Sequence, residues 1–279
     1  MSMTSRYLTC AGRELHFTEW GTEHSDVVFC WHGLARTGRD FDALARYLSA
    51  RYWVICPDLL GRGFSQWALE PSREYGFAFF SQLVLELRQQ LGIERMRWVG
   101  TSMGGFLGII LAAGALQGRI SHLILNDVGP EIPPTAAQRI AAYVGNPPTF
   151  ATMTALEQWL RTVYATFGPQ TDAAWRHLAE TSWRRTDAGQ ITVHYDPRLV
   201  EHLTAQPDDW NQWAAYDHIR CPILLLRGKT SDVLTRETAE AMTRRRPGCR
   251  LIEIADCGHA PMLNTMAQQQ IIAEFLAAS

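Results

Sequence analysis

Ser102 stands in the run Gly100-Thr101-Ser102-Met103-Gly104-Gly105, between the strand-like Met96 to Val99 and an apolar stretch that reads as a helix. A serine hydroxyl is a useful nucleophile only when a base takes its proton and a further group fixes the tautomer of that base. G-x-S-x-G at a strand-to-helix turn meets the first geometric demand, because so sharp a turn leaves no room for side chains beside the serine and lifts its hydroxyl above the sheet. Glycine is frequent here, at 21 residues, so the pentapeptide alone says little. The other groups add the weight. Asp232 follows the apolar run Ile223 to Leu226, and His259 follows Leu251 to Ile254 in the loop Asp256-Cys257-Gly258-His259-Ala260-Pro261. Ser, Asp and His in that order, each beyond the carboxyl end of a predicted strand, suit acyl transfer. In such chemistry Ser102 is expected to be the nucleophile, His259 the base that takes its proton and Asp232 the group that fixes the imidazole's tautomer. Asp127 competes with Asp232, since Asn126-Asp127-Val128-Gly129-Pro130 also ends a strand; its alternative task is to turn the chain. The reading favours Asp232.

Two backbone donors complete this chemistry. Trp31-His32-Gly33-Leu34 follows the strand Val27 to Cys30, so the N–H of Leu34 and the N–H of Met103, at the start of a helix, are expected to stabilise an oxyanion. Arg36, two residues past Leu34, has two possible tasks: bracing this loop against Asp40 or the Asp58 segment, or binding a substrate carboxylate, which would favour hydroxy-acid esters or their short oligomers.

The elements that must position these residues alternate. Runs at Tyr7 to Cys10, Leu15 to Trp20, Val27 to Trp31, Trp53 to Pro57, Met96 to Gly100, His122 to Asn126, Pro222 to Arg227 and Arg250 to Ile254 read as strands, several apolar on both faces. Amphipathic stretches at Asp40 to Ala50, Phe77 to Leu91, Phe106 to Leu116, Glu237 to Arg245 and Thr265 to Ala278 read as helices. Strand alternating with helix implies an α/β domain on a mostly parallel sheet, with the first two strands paired as a hairpin around Ala11 to Arg13. From Glu131 to Tyr216 no strand pattern appears, and helical segments are broken at Pro147-Pro148, Gly168-Pro169 and Asp196-Pro197. This segment carries ten of the aromatic residues singled out as core or pocket candidates, among them Tyr143, Tyr164 and Phe167; Trp159, Trp183 and Trp213 are the tryptophans chosen to line a substrate pocket.

Composition narrows the field. In 279 residues, 26 Lys and Arg face 28 Asp and Glu, so there is no broad basic surface for nucleic acid. The longest apolar run, Gly104 to Leu116, is too short to span a bilayer, and the charged N-terminus does not read as a signal peptide, which points to a soluble, cytoplasmic protein with no membrane partner. Cys10, Cys30, Cys56, Cys221, Cys249 and Cys257 lie far apart and read as free thiols; no Cys or His spacing suggests a metal, and the chemistry needs no cofactor. Oligomeric state stays open.

With these motifs in place, the sequence resembles the α/β-hydrolase fold superfamily over essentially its whole length. Besides His32-Gly33, Gly100 to Gly104 and Gly258-His259, Asp58-Leu59-Leu60-Gly61-Arg62-Gly63-Phe64-Ser65 matches the superfamily's D-x-x-G-x-G-x-S loop. The resemblance implies an eight-stranded, mostly parallel sheet flanked by helices, formed by residues 1–130 and 217–279, with a helical cap at 131–216 inserted after the sixth strand. Epoxide hydrolases and haloalkane dehalogenases of this fold carry Asp at the elbow, so Ser102 turns the reading toward a carboxylesterase acting on a small or medium aliphatic ester. Lactonase and carbon–carbon hydrolase activities share the scaffold, and a small-ligand receptor with residual turnover is the reading from a different class.

Overall fold

The computed structural model describes residues 2–201 and 207–278, so 202–206 of the expected insertion and the two terminal residues lie outside the description. Strands β1 (Thr4–Cys10) and β2 (Arg13–Trp20) form an antiparallel hairpin closed by Ala11-Gly12, both at positive φ (48° and 71°), as a two-residue turn matching the strands' twist requires. The sheet continues with β3 (Val27–Trp31), β4 (Trp53–Pro57), β5 (Met96–Thr101) and β6 (Ile120–Asn126). After a short two-stranded sheet, β7 (Trp183–Arg185) and β8 (Ile191–Val193), it ends with β9 (Ile223–Gly228) and β10 (Cys249–Ile254). The eight-stranded order is β1-β2-β4-β3-β5-β6-β9-β10, parallel from β4 onward.

Alternate residues of the buried strands go to opposite faces. Val28 and Cys30 join Leu44 and Leu48 of helix α1 (Asp42–Leu48) in one apolar cluster, whereas Phe29 and Trp31 join the other, where Trp31 stacks on Trp98 at 5.3 Å. After the short α2 (Pro71–Glu74), helices α3 (Phe77–Gln90) and α4 (Met103–Ala113) belong to the second face. The strand order reverses between β3 and β5, so the crevice for a ligand opens above their carboxyl ends, where Leu34 and Ser102 follow.

The segment between β6 and β9 adds no strand to this sheet. It holds α5 (Pro134–Val144), α6 (Met153–Val163), α7 (Asp172–Glu180), the β7–β8 hairpin and α8 (Trp213–His218), which packs against α4. The hairpin corrects the expectation of an all-helical insertion: three-residue strands around a Gly189 turn are too short to leave a period in the sequence. Asp196 does cap the turn at Pro197–Leu199, accepting from Arg198 N–H at 3.0 Å. Helices α9 (Arg236–Arg245) and α10 (Met266–Ala277) complete the domain. The insertion is sewn to the sheet domain by backbone bonds: Gly63 N–H donates to His194 O (2.9 Å), Asp196 N–H to Gly61 O (2.8 Å) and Gly258 N–H to Thr166 O (2.7 Å). All six cysteines are free, five buried and Cys221 partly so. Among the described residues, no helix is long and apolar enough to cross a membrane.

Candidate active site

Ser102 sits between β5 and α4 at φ 51°, ψ −119°, a left-handed conformation that is strained for a residue with a side chain. Its glycines are dictated by close approach. A Cβ on Gly104 would lie 2.1 Å from the carbonyl oxygen of Trp31, and one on Gly100 would lie 2.4 Å from the backbone of Gly104. Ser102 Oγ donates to His259 Nε2 at 2.9 Å. The other ring nitrogen, Nδ1, donates to Oδ2 of Asp127 at 2.8 Å, and Asp127 is fully buried. Gly228 N–H (2.7 Å) and Ser231 Oγ (2.5 Å) also donate to the Asp127 carboxylate, so it enters the site already oriented.

The expectation for Asp232 is corrected here. Its carboxylate accepts both Nε and Nη2 of Arg139 at 2.8 Å, with both side chains about half exposed, on the outer side of the loop after β9. The loop folds back through Ser231, whose hydroxyl takes Asp127 and the N–H groups of Val233 and Leu234, and this points the next side chain outward.

Leu34 lines the pocket together with Ser102, and Met103 follows Ser102 in the chain. Met103 is the first residue of α4, so its N–H has no acceptor one turn back. The Leu34 loop is held by His32, where Nδ1–H donates to Gly33 O (2.7 Å) and Nε2 accepts from Leu59 N–H (2.9 Å). Burial pushes the pKa of His32 down to about 4, which keeps the ring neutral and both bonds intact. A second brace was not legible in the sequence. Arg62, fully buried in the Asp58 to Ser65 loop, donates through Nε to Leu34 O (2.8 Å), through Nη1 to Leu60 O (2.6 Å) and through Nη2 to Met103 Sδ (3.4 Å). It therefore touches both residues expected to present the oxyanion donors. Burial pulls its pKa down to about 9, partly offset by Tyr75 and Asp196, so it stays charged at neutral pH. Asp58 anchors the same loop, accepting from His16 Nδ1 (2.7 Å), Gly38 N–H (2.7 Å) and Phe64 N–H (3.0 Å).

Above Ser102 and His259 lies a narrow pocket, roofed by Arg139, Ile140 and Tyr143 of α5, Val163 at the end of α6, and Tyr164, Thr166 and Phe167 just after it. Thr166 Oγ1 donates to His259 O at 2.7 Å, which ties the roof to the His259 loop. The expectation that Trp159, Trp183 and Trp213 line the substrate pocket is corrected, since none of them borders this one. Trp159 packs beside Phe150 at 5.8 Å, Trp183 faces a separate cleft with His194 and Arg185, and Trp213 lies against Tyr216 and under Arg245. Arg36 does line the pocket, but as a brace: Nε and Nη2 grip Asp40 at 2.8 and 2.6 Å, and the guanidinium lies 5.1 Å from the Tyr164 ring centre. Burial works against its charge, yet Asp40 and Tyr164 outweigh this and raise its pKa.

A nucleophile elbow, a histidine bonded on both sides and a roofed crevice at the strand switch define a hydrolase of the α/β class. The pattern of the alpha/beta hydrolase family matches residues 27–273, and the chain belongs to that family. A 3-hydroxybutyrate-oligomer hydrolase from Cupriavidus necator is 38% identical over 269 residues, covering 93% of this chain and 91% of that protein. An α/β hydrolase structure from Novosphingobium aromaticivorans is 34% identical, with TM-score 0.88 over 98% of both chains. A structure from Rickettsia typhi matches with TM-score 0.90 at 28% identity, covering 99% of both chains.

Proposed function

We propose that the protein is a serine ester hydrolase that cleaves short linear esters of hydroxy acids, of the 3-hydroxybutyrate-oligomer kind. The observation that carries the chemistry is His259 bonded at once to Ser102 Oγ and to the buried Asp127. Ser102 Oγ adds to the ester carbonyl while Nε2 of His259 takes its proton, and the N–H groups of Leu34 and Met103 receive the developing oxyanion. The imidazolium, stabilised by Asp127, protonates the departing alkoxide. Water then adds to the acyl-enzyme with His259 as base, releasing the acid and restoring Ser102. The substrate class is supported by the relative that is 38% identical along nearly the whole chain. Residues 131–216 act as the cap that decides which esters reach the serine.

The test is chromatographic. Purified protein incubated with the linear dimer and trimer of 3-hydroxybutyrate should release monomer, while Ser102→Ala should lose activity by several orders of magnitude and stay folded. A simple alkyl ester and a lactone of equal carbon number belong in the same panel. Cleavage of the lactone alone would overturn the proposal in favour of a lactonase.

A further inference from the structure

The pocket over Ser102 is lined by two cations, Arg36 and Arg139, whose situations differ. Arg36 and its partner Asp40 are largely buried, with side-chain exposures of 7% and 16%, and drawing Asp40 away would strand a buried charge. Arg139 and Asp232 are 43% and 49% exposed, and such a pair contributes little net stability. Nε and Nη2 of Arg139 nevertheless hold the Asp232 carboxylate in a two-point grip at 2.8 Å each, the fork geometry suited to any carboxylate. Arg139 thus lies at the pocket's edge, set up for a carboxylate and occupied by one that solvent can readily replace.

We infer that Arg139 binds the free carboxylate of the substrate, and that Asp232 is an internal stand-in which the substrate displaces. This rests on the hydroxy-acid ester reading above. In a linear hydroxy-acid oligomer the single free carboxylate lies on the alcohol half of whichever bond is cut, so a grip at the pocket edge fixes that half and measures the scissile bond from the acid end. Alkyl esters and lactones offer no such handle. The exchange trades one carboxylate for another at a half-exposed guanidinium, so its free-energy cost is small. The substrate's contacts with Ile140 and Tyr143, on the same helix, then favour the incoming group.

The experiment compares the 3-hydroxybutyrate dimer with its methyl ester in wild type, Arg139→Gln, Arg139→Lys and Asp232→Asn. The quantity read is the ratio of KM for the acid to KM for the methyl ester. Arg139→Gln should raise the ratio about tenfold or more, as loss of a charge-assisted hydrogen bond does. Arg139→Lys should restore part of it, and Asp232→Asn, which removes the competitor, should lower it below wild type. A wild type that cleaves both substrates with a ratio unmoved by all three substitutions would overturn the role of Arg139 alone. A wild type that cleaves neither would overturn the hydroxy-acid ester reading and this inference with it.

Discussion

His259 Nδ1 lies 2.8 Å from Asp127 Oδ2, so the acid of the constellation comes from the end of β6 and not from the loop after β9. Each is buried or nearly so, whereas Asp232 is half exposed and held by Arg139. Asp127→Asn should therefore cost about three to four orders of magnitude in kcat, because the imidazole loses the partner that fixes its tautomer. Asp232→Asn should cost less than tenfold on the same neutral ester. Steady-state kinetics of the two variants decide it; the reverse ranking would return the acid to Asp232.

What the sequence made legible follows from what kind of signal each residue leaves. The strands Val27–Trp31 and Trp53–Pro57 were read to the residue because a strand covered on both faces must be apolar throughout. Ser102 and His259 stand in motifs whose glycines answer to backbone clearance, as the 2.1 Å approach at Gly104 makes plain. The acid left no such mark: Asp127 and Asp232 both follow strands, and the choice turns on how Ser231 folds its loop. Tyr143, Tyr164 and Phe167 stood among the ten aromatic candidates of the insertion, but nothing in their spacing separates residues that face the pocket from those that pack the insertion's own core. Arg62 could have been suspected only from its place between two glycines in the Asp58 loop.

Arg62 is expected to act as a positioning residue. Its fork spans Leu34 O and Met103 Sδ, and lysine keeps the charge without the fork. Arg62→Lys should lower kcat on a neutral ester about 10- to 100-fold while KM moves less than threefold, since the donors it aims are needed chiefly in the transition state. Thermal denaturation of the same preparation separates this from simple unfolding. A variant with reduced stability but wild-type kcat would make Arg62 purely structural.

Substrate length should be set by the residues that roof the pocket. Tyr164→Ala and Phe167→Ala remove stacked rings, 4.6 Å apart, above Ser102 and should shift the ranking of acyl chains toward longer ones. Trp159→Ala and Trp213→Ala should keep the ranking and cost roughly 1–3 kcal/mol of stability, because both side chains are only partly buried in the packing of the fold. A panel of activated esters of increasing acyl length, run beside urea titrations, reads both effects. A ranking changed by the tryptophans and not by Tyr164 or Phe167 would place the acyl site elsewhere.

The neutral His32 predicts a pH dependence of its own. Burial lowers its pKa from 6.5 to about 4, so the folded state disfavours the charged ring that the unfolded chain accepts. A base with a lowered folded pKa stabilises the fold fully above its unfolded value, and this contribution is lost as pH falls from 6.5 toward 4. The whole gap corresponds to roughly 3 kcal/mol, of which about 2 kcal/mol disappears between pH 6.5 and 5. Buried Asp58, held below its ordinary range by His16 despite its burial, titrates beneath that window. His122 and His194 have lowered pKa values from burial and add to the loss. His177 opposes it: Asp42, 3.1 Å away, raises its pKa, so its contribution is present at low pH and fades as pH rises. His32→Asn has no group to protonate at this position and can still offer an acceptor to Leu59 N–H. Its stability measured by denaturant between pH 6.5 and 5 should therefore fall by about 2 kcal/mol less than that of wild type. Parallel pH profiles for the two proteins would show that His32 is not buried in the neutral form that holds the Gly33-Leu34 loop in place.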